Sequence, residues 1–385
     1  MVVAESVLEL WAVVLAIAAT VAVLLFHGVV LYWAGQMPRL RPAPPGPAAG
    51  LPSTSDIVAA RNEVDDLPNC LDGLLHQDVA LQLIVVDGAS TDGTPDVARR
   101  AGPRVQLIEE GSLPAGWVGK NWACELGAEA STGDWLLFTD ADVRYAPEAV
   151  RRCLEWAQAE HADLATLAPK VEMVGFWEKV VLPFYVQSVV TYFRAPRVNR
   201  DDSRAAMANG QFLMVRRKAY DQVGGHRAVR GAVLEDVRLA QEFRRAGLRL
   251  RLAWAPELIT TRMYRDRHEM FEGLLKNIHG TDYSTARQVG FLAGLIGLYW
   301  LPLALLPVGL ALSSPLLTAL GALLWVALFG KHVAFTAAIR ARGAYGLLYP
   351  LAVGYYIAIV LASIRSGLRH EPLEWKGRRY ARPGE

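Results

Sequence analysis

Apolar positions are unevenly spread along this chain. Leu10 to Phe26 carries no charge, and the apolar run extends through His27 to Trp33. A bilayer crossing needs about 20 apolar residues, so residues 1–36 are expected to form an N-terminal transmembrane anchor. A cleaved signal peptide fits less well, because no Lys or Arg precedes the run and the run is long. After about Gln288 the chain turns apolar again. Phe291 to Leu312, Leu316 to Phe329 (extending toward Ile339) and Tyr345 to Ile364 are three further candidate spans. Tyr299, Trp300, Tyr355 and Tyr356 suit interfacial anchors. Residues 286–364 therefore read as a C-terminal membrane region and 365–385 as a basic tail.

Between these ends the pattern is that of a water-soluble α/β domain, assigned to residues 55–285. "DIVAA" (Asp56 to Ala60), "LQLIVVDG" (Leu81 to Gly88) and the run Leu136 to Phe138 are short apolar strands of a sheet covered on both faces. "STDGTPDVARR" starts a helix, with Thr94 able to cap, Pro95 in the first turn and Asp96 favouring the dipole. "APEAVRRCLEWA" starts another, with Pro147 and Glu148 in its first turn. "EDVRLAQEFRRAG" is a third, acids first, basics last, with Gly247 to stop it. "LRLRLA" (Leu248 to Ala253) alternates as a strand. Strand–helix alternation predicts a mostly parallel sheet with helices on its faces. "RPAPPGPAAGLP" (Arg41 to Pro52) cannot be helix or central strand; residues 37–54 are read as a stiff linker.

Charge refines this outline. Of the 385 residues 52% are hydrophobic and the net charge is +2, which argues against a nucleic-acid-binding protein. Cys70, Cys124 and Cys153 lie far apart without metal-ligand spacing, as buried thiols of a reducing compartment do. Glu5 and Glu9 precede the first apolar run and Arg39 and Arg41 follow it. That bias puts the segment after the anchor, and the domain with it, in the cytoplasm of a multi-pass cell-membrane protein.

The polar residues gather at strand ends. "AARNE" (Ala59 to Glu63) follows the first strand, Asp87 ends the second, and Asp140 and Asp142 follow the run ending in Phe138. Open α/β sheets bind ligands at the carboxyl ends of their strands. Two carboxylates this close repel unless a cation or donors offset them, and a hard divalent cation shared with substrate phosphates would do so. An Asp-rich turn capping a strand is the plain alternative. "LEDV" adds Glu235 and Asp236 at a helix start.

In combination these motifs resemble family 2 glycosyltransferases of the GT-A fold, over roughly Ser55 to Tyr264. The resemblance implies an inverting enzyme with a nucleotide-sugar donor (a UDP-sugar, with a GDP-sugar as the alternative) and Mg²⁺ or Mn²⁺. By motif, Ala60, Glu63 and Asp87 would hold base and ribose. The position after Asp87, Asp in the usual motif, is Gly88 here. Asp92 belongs to the "STDGT" turn, as ligand contact or as turn and cap. Lys120, in "GWVGK", would meet phosphate or sugar, Asp140 ribose or the metal shell, and Asp142 the metal. Asp236 would be the catalytic base, with Glu235 its neighbour or an acceptor contact. Gln211, in "ANGQF", would touch sugar or acceptor, and His226 is either a site residue or a structural one.

Processive synthases of this family carry Gln-x-x-Arg-Trp after the base, and this chain has none; the region reads "MFEGLLKNIHG". That favours single transfer to a membrane lipid of carotenoid, hopanoid, ceramide or polyprenyl type, as in membrane-anchored members. The alternatives are a processive polysaccharide synthase and a membrane scaffold with a degenerate domain. "FWEKVVLPFYVQSVV" (Phe176 to Val190) could lie on the membrane and guide a lipid, or be a core helix. For the tail to be cytoplasmic, one of the three C-terminal spans must be re-entrant or interfacial, and the segment around Lys331 and His332 is the weakest.

Overall fold

The computed structural model describes residues 2–44, 50–281, 284–369, 371, 373–375 and 378–380. Part of the expected linker (residues 45–49) and part of the basic tail lie outside the described residues.

Seven strands form the main sheet: β1 (Thr54–Ala60), β2 (Leu81–Asp87), β3 (Val105–Glu109), β4 (Trp135–Asp140), β6 (Leu164–Ala168), β8 (Leu213–Arg216) and β9 (Leu250–Trp254), in the order β3-β2-β1-β4-β8-β6-β9. Only β8 runs antiparallel to its neighbours. A small sheet of β5 (Val143–Tyr145), β10 (Ile259–Thr261) and β7 (Lys170–Val171) closes one end. Helices α2 (Leu67–Leu75), α3 (Thr94–Arg100), α4 (Gly119–Ala130), α5 (Ala149–Ala159), α7 (Arg217–Val223), α8 (Gly225–Ala228) and α9 (Glu235–Arg245) complete the α/β unit. Ile57, Val58, Ile84, Val85, Leu136 and Leu137 are buried from both faces, which is why these strands read as apolar runs rather than alternations.

Four local readings change. β9 does not alternate between core and solvent: Arg251 is buried with Leu250, Leu252 and Ala253, because Asp201 (2.8 Å) and Glu160 (3.1 Å) meet its guanidinium. Thr94 is the first helical residue rather than the cap of α3; the Asp92 carboxylate caps instead, accepting from Thr94 N at 3.0 Å and from Val64 N at 3.1 Å. Pro147 and Glu148 precede α5, and Gln77 Oε1 accepts from Val150 N at 2.9 Å across the fold. The described start of the linker is not a free spacer: Leu40 N donates to Trp254 O, and Trp254 N to Pro38 O, each at 2.8 Å, so this segment extends the edge of β9.

Among the described residues, four helical stretches are long and apolar enough to cross a membrane. One lies in α1 (Val2–Gly35). The others are α11 (Thr285–Leu295) continuing through a π turn into α12 (Leu301–Ala311), α13 (Pro315–Ala338), and the 3₁₀ turn Gly343–Leu348 leading into α14 (Tyr349–Leu368). They share a second core with α6 (Phe176–Tyr192) and α10 (Arg267–Gly280), built around Val23, Phe184, Met270, Tyr299, Leu328 and Tyr356. The stretch Phe176 to Val190 is thus an internal helix wedged between the α/β unit and the apolar bundle.

Lys331 and His332 do not break α13, which continues to Ala338. Their polarity is met inside the bundle: Lys331 Nζ donates to Gln187 Oε1 of α6, and His332 stacks on Tyr349 with ring centroids 4.0 Å apart. Just beyond α13, Arg340 pairs with Glu257 of the α/β unit, as does Arg39 just after α1 (3.0 Å). The turn after Arg340 doubles back along α13. A Cβ on Gly346 would stand 2.5 Å from the His332 backbone, so only glycine fits there. Helix α14 then runs alongside α6, α10 and α11, and the strand β11 (Leu373–Trp375), paired with β12 (Arg378–Tyr380), rests against α10.

Candidate active site

The topology brings the expected strand ends together. The register aligns Ala60 with Asp87 and Ala59 with Asp140 across three adjacent strands. A cavity of about 460 Å³ opens there, lined by Ala60, Glu63, Lys120, Asp140, Asp142, Gln211, Glu235 and Asp236 among others. Asp87 does not line it. Its buried carboxylate accepts from Ser90 N at 3.0 Å and shapes its own turn, while Gly88 reaches the cavity wall instead.

At the centre, Lys120 in the first turn of α4 bridges two elements. Its ammonium is 2.6 Å from Asp140 Oδ1 and 2.7 Å from Glu235 Oε1. Burial opposes this charge, but Asp140, Glu235 and Asp236 outweigh it and hold the lysine protonated well above its usual range. Asp236 Oδ2 accepts from Gly210 N and Oδ1 from Val237 N, each at 2.7 Å. Burial and the neighbouring Glu235 push the Asp236 carboxyl up to about 6, against the opposing pull of Lys120 and the two amides. Gly210 lets these groups converge: a Cβ there would stand 2.7 Å from Lys120 Nζ.

Asp142 accepts a hydrogen bond from Thr261 Oγ1 (2.8 Å), which in turn accepts from Gln211 Nε2 (3.3 Å). Gln211 Oε1 accepts from Asn209 Nδ2 at 3.2 Å. "ANGQF" is therefore a strut that fixes the Asp142 side, with Gln211 on the cavity wall. Among the described residues no cluster of three or more His, Cys, Asp or Glu could by itself hold a metal ion. Asp140 and Asp142 offer hard carboxylate oxygens, the donor set of a Mg²⁺ or Mn²⁺ that takes its remaining ligands from a diphosphate and water.

His226 stands apart from this chemistry. It is buried, its Nδ1 lies 2.9 Å from Tyr220 OH, and its ring packs edge-on against Phe138. Burial, then Lys120, lowers it to about 3, so it is a neutral core residue.

Several residues of the site escaped the sequence reading. Thr261, buried behind the cavity wall, comes from β10, far along the chain, and nothing local marks its contact with Asp142. Lys276 and Asn277 of α10 and Tyr185 of α6 line the cavity. A lysine and an asparagine inside the apolar stretch "LLKNI" were the available signal.

Residues 55–224 match the family described as Glycosyl transferase family 2. The 4,4'-diaponeurosporenoate glycosyltransferase of Staphylococcus haemolyticus (strain JCSC1435) is 28% identical over 59% of this chain and 61% of its own length, so the match spans less than two thirds of that relative. The protein of the same name from Staphylococcus aureus (strain MRSA252) is 25% identical over 84% of this chain and 87% of its own. A mannosyltransferase from Pyrobaculum calidifontis, solved in complex with GDP-Man and Mn²⁺, superposes with a TM-score of 0.56 at 20% identity, covering 93% of this chain and 99% of its own. Residues 55–224 are thus similar to family 2 glycosyltransferase domains, the fold is GT-A-like, and apolar helices flank it.

Proposed function

We propose that this domain is a family 2 glycosyltransferase that moves one sugar from a nucleotide-sugar donor to a membrane lipid, with inversion at the anomeric carbon. The observation that carries the reading is one continuous cavity. Its lining includes Asp140, Asp142 and Asp236 together with Phe291 and Tyr356 of the apolar helices. The relatives' name supports an acceptor of the carotenoid-acid type, and the structural neighbour's GDP-Man leaves GDP-sugars open beside UDP-sugars.

The donor's base and ribose would lie along Ala60, Glu63 and Gly88, and its diphosphate between Lys120 and Asp142. Asp142, with Asp140, would hold Mg²⁺ or Mn²⁺. A bound ion supplies positive charge against the departing nucleoside diphosphate. The acceptor oxygen attacks the anomeric carbon from the face opposite the leaving group. Its C–O bond forms as the sugar–phosphate bond breaks, and the acceptor proton passes to Asp236 Oδ1 or Oδ2. Two backbone amides aim that carboxylate without neutralising it. The domain would face the cytoplasm, where nucleotide sugars are made, in keeping with Arg39 and Arg41 after the first span.

The test is glycosylation of a membrane-lipid extract by the purified full chain with a panel of nucleotide sugars, read by product mass. One lipid species gaining a single sugar, lost in chelator and in Asp142→Ala, is expected. A ladder of repeated units, or near-wild-type transfer by Asp142→Ala in chelator, would overturn the reading.

A further inference from the structure

We propose that the acceptor's hydrocarbon chain occupies the membrane-side arm of this cavity, between α6 and α10 and against Phe291 and Tyr356. It would enter directly from the bilayer rather than through water. This inference rests on the lipid-transfer reading above and deepens it by assigning the chain a place.

The lining is mixed in character. Next to Asp236 it is charged, with Glu235, Lys120 and Lys276. Asn277 and Tyr185 also line it; Asn277 Nδ2 donates to Tyr185 OH at 3.3 Å, and Tyr185 lies close enough to Asp236 to feel its charge. Leu274, Ile278, Phe291 and Tyr356 give the same cavity apolar walls. A nucleoside diphosphate sugar is polar throughout and would gain nothing from such walls, nor would a water-soluble acceptor. A hydrocarbon chain gains about 25 cal/mol for each Å² of apolar surface withdrawn from water.

Position supplies the second argument. Phe291 belongs to α11 and Tyr356 to α14, both in stretches apolar enough for a bilayer. Helix α11 also carries Val289 (51% exposed) on an outer face. The apolar arm is therefore one helix thickness from surface suited to lipid. A chain anchored in the bilayer can reach it while its terminal oxygen stays beside Asp236. The ligand class is a long apolar chain ending in a nucleophilic oxygen.

A sixteen-carbon fatty alcohol with a mid-chain diazirine tests this on the detergent-solubilised full chain. After irradiation, the label should map to peptides containing Tyr185, Phe291 or Tyr356 and should be displaced by membrane-lipid extract. Phe291→Trp, which fills the arm, should reduce this labelling severalfold, and Phe291→Ala, which widens it, should not. Val326→Ala, on an outward face of α13, should leave it unchanged. Label found only on outward-facing residues such as Val326 and Leu361, or unaffected by Phe291→Trp, would overturn the proposal. Either result would do so even where sugar transfer to lipid is observed in the same preparation, so the two readings fail separately.

Discussion

Lys120 Nζ lies 2.6 Å from Asp140 Oδ1 and 2.7 Å from Glu235 Oε1, so one ammonium at the cavity centre joins the strand that ends in Asp-x-Asp to the helix that begins with Glu235 and Asp236. A single side chain thus links Asp140, on the proposed donor side, to Glu235, the neighbour of the proposed base Asp236. Charge-assisted hydrogen bonds contribute about 1.5–3 kcal/mol each. Lys120→Gln should accordingly lower kcat/KM roughly 10- to 100-fold. Because Lys120 also lowers the pKa of Asp236, the same variant should move the acidic limb of the pH–rate profile upward. A fall in rate with an unmoved limb would show that Lys120 serves the donor alone.

The pH profile itself follows from Asp236. Its carboxyl is raised to about 6 by burial and by Glu235. A base must be ionised to accept a proton, so transfer should fall about tenfold per pH unit below that value and level off above it. Asp236→Asn should keep donor binding and lose roughly 10²–10⁴ in transfer rate. Collapse of nucleotide binding in this variant would move Asp236 into the donor site.

Asp56 carries a separate, purely structural prediction. It lies on β1 with its whole side chain buried, and neither carboxylate oxygen has a hydrogen-bond partner among the described residues. Burial raises its pKa well above the usual carboxylate value. The folded state therefore keeps a proton that the unfolded chain releases above about pH 4. Stability on this account is full below that pH and declines as pH rises toward the folded-state pKa. Asp56→Asn should flatten that decline and raise Tm at pH 7.5 more than at pH 5. Equal effects at both pH values would rule the linkage out.

Much of this was legible in the chain. Strands buried on both faces must be apolar throughout, so Ile57, Val85 and Leu136 marked the sheet, and ligand-facing polar residues had to follow them. That ordering brought Asp140, Asp142 and Glu63 to one cavity. What stayed hidden depends on contacts remote in sequence. Arg251 alternates like a solvent-facing residue, yet Asp201 and Glu160 let it be buried. Asp87 matches its motif, but its carboxylate turns inward to Ser90 N. Thr261 reaches Asp142 only because β10 pairs antiparallel with β5. The polar pair Lys331 and His332 looked like a weak point in a span, because nothing local reveals Gln187 and Tyr349 as its partners.

That pair also decides how the chain should thread the membrane. Arg39 and Arg340 both meet Glu257, so α1 and α13 end on the catalytic side. His332 lies eight residues before Arg340, roughly 12 Å deeper at 1.5 Å per residue. The turn after Arg340 descends to that depth, since Gly346 abuts the His332 backbone and Tyr349 stacks on its ring. Helix α14 starts there, where Trp300 Nε1 donates to Pro350 O at 3.1 Å, and climbs back until Tyr355 OH donates to Arg267 O of α10 at 2.8 Å. The stretch 343–368 should therefore dip into the bilayer and return, leaving three crossings and a tail on the catalytic side, where β11 meets α10. Non-helical backbone at that depth is tolerable because it is buried in protein. The native cysteines, Cys70, Cys124 and Cys153, are buried and give a low background for thiol labelling in intact cells. Ser313→Cys, between α12 and α13, should react with an impermeant reagent added outside. Glu371→Cys, just past α14, should react only after the membrane is opened. Labelling of both from outside would mean that α14 crosses fully and that the tail lies opposite the catalytic domain.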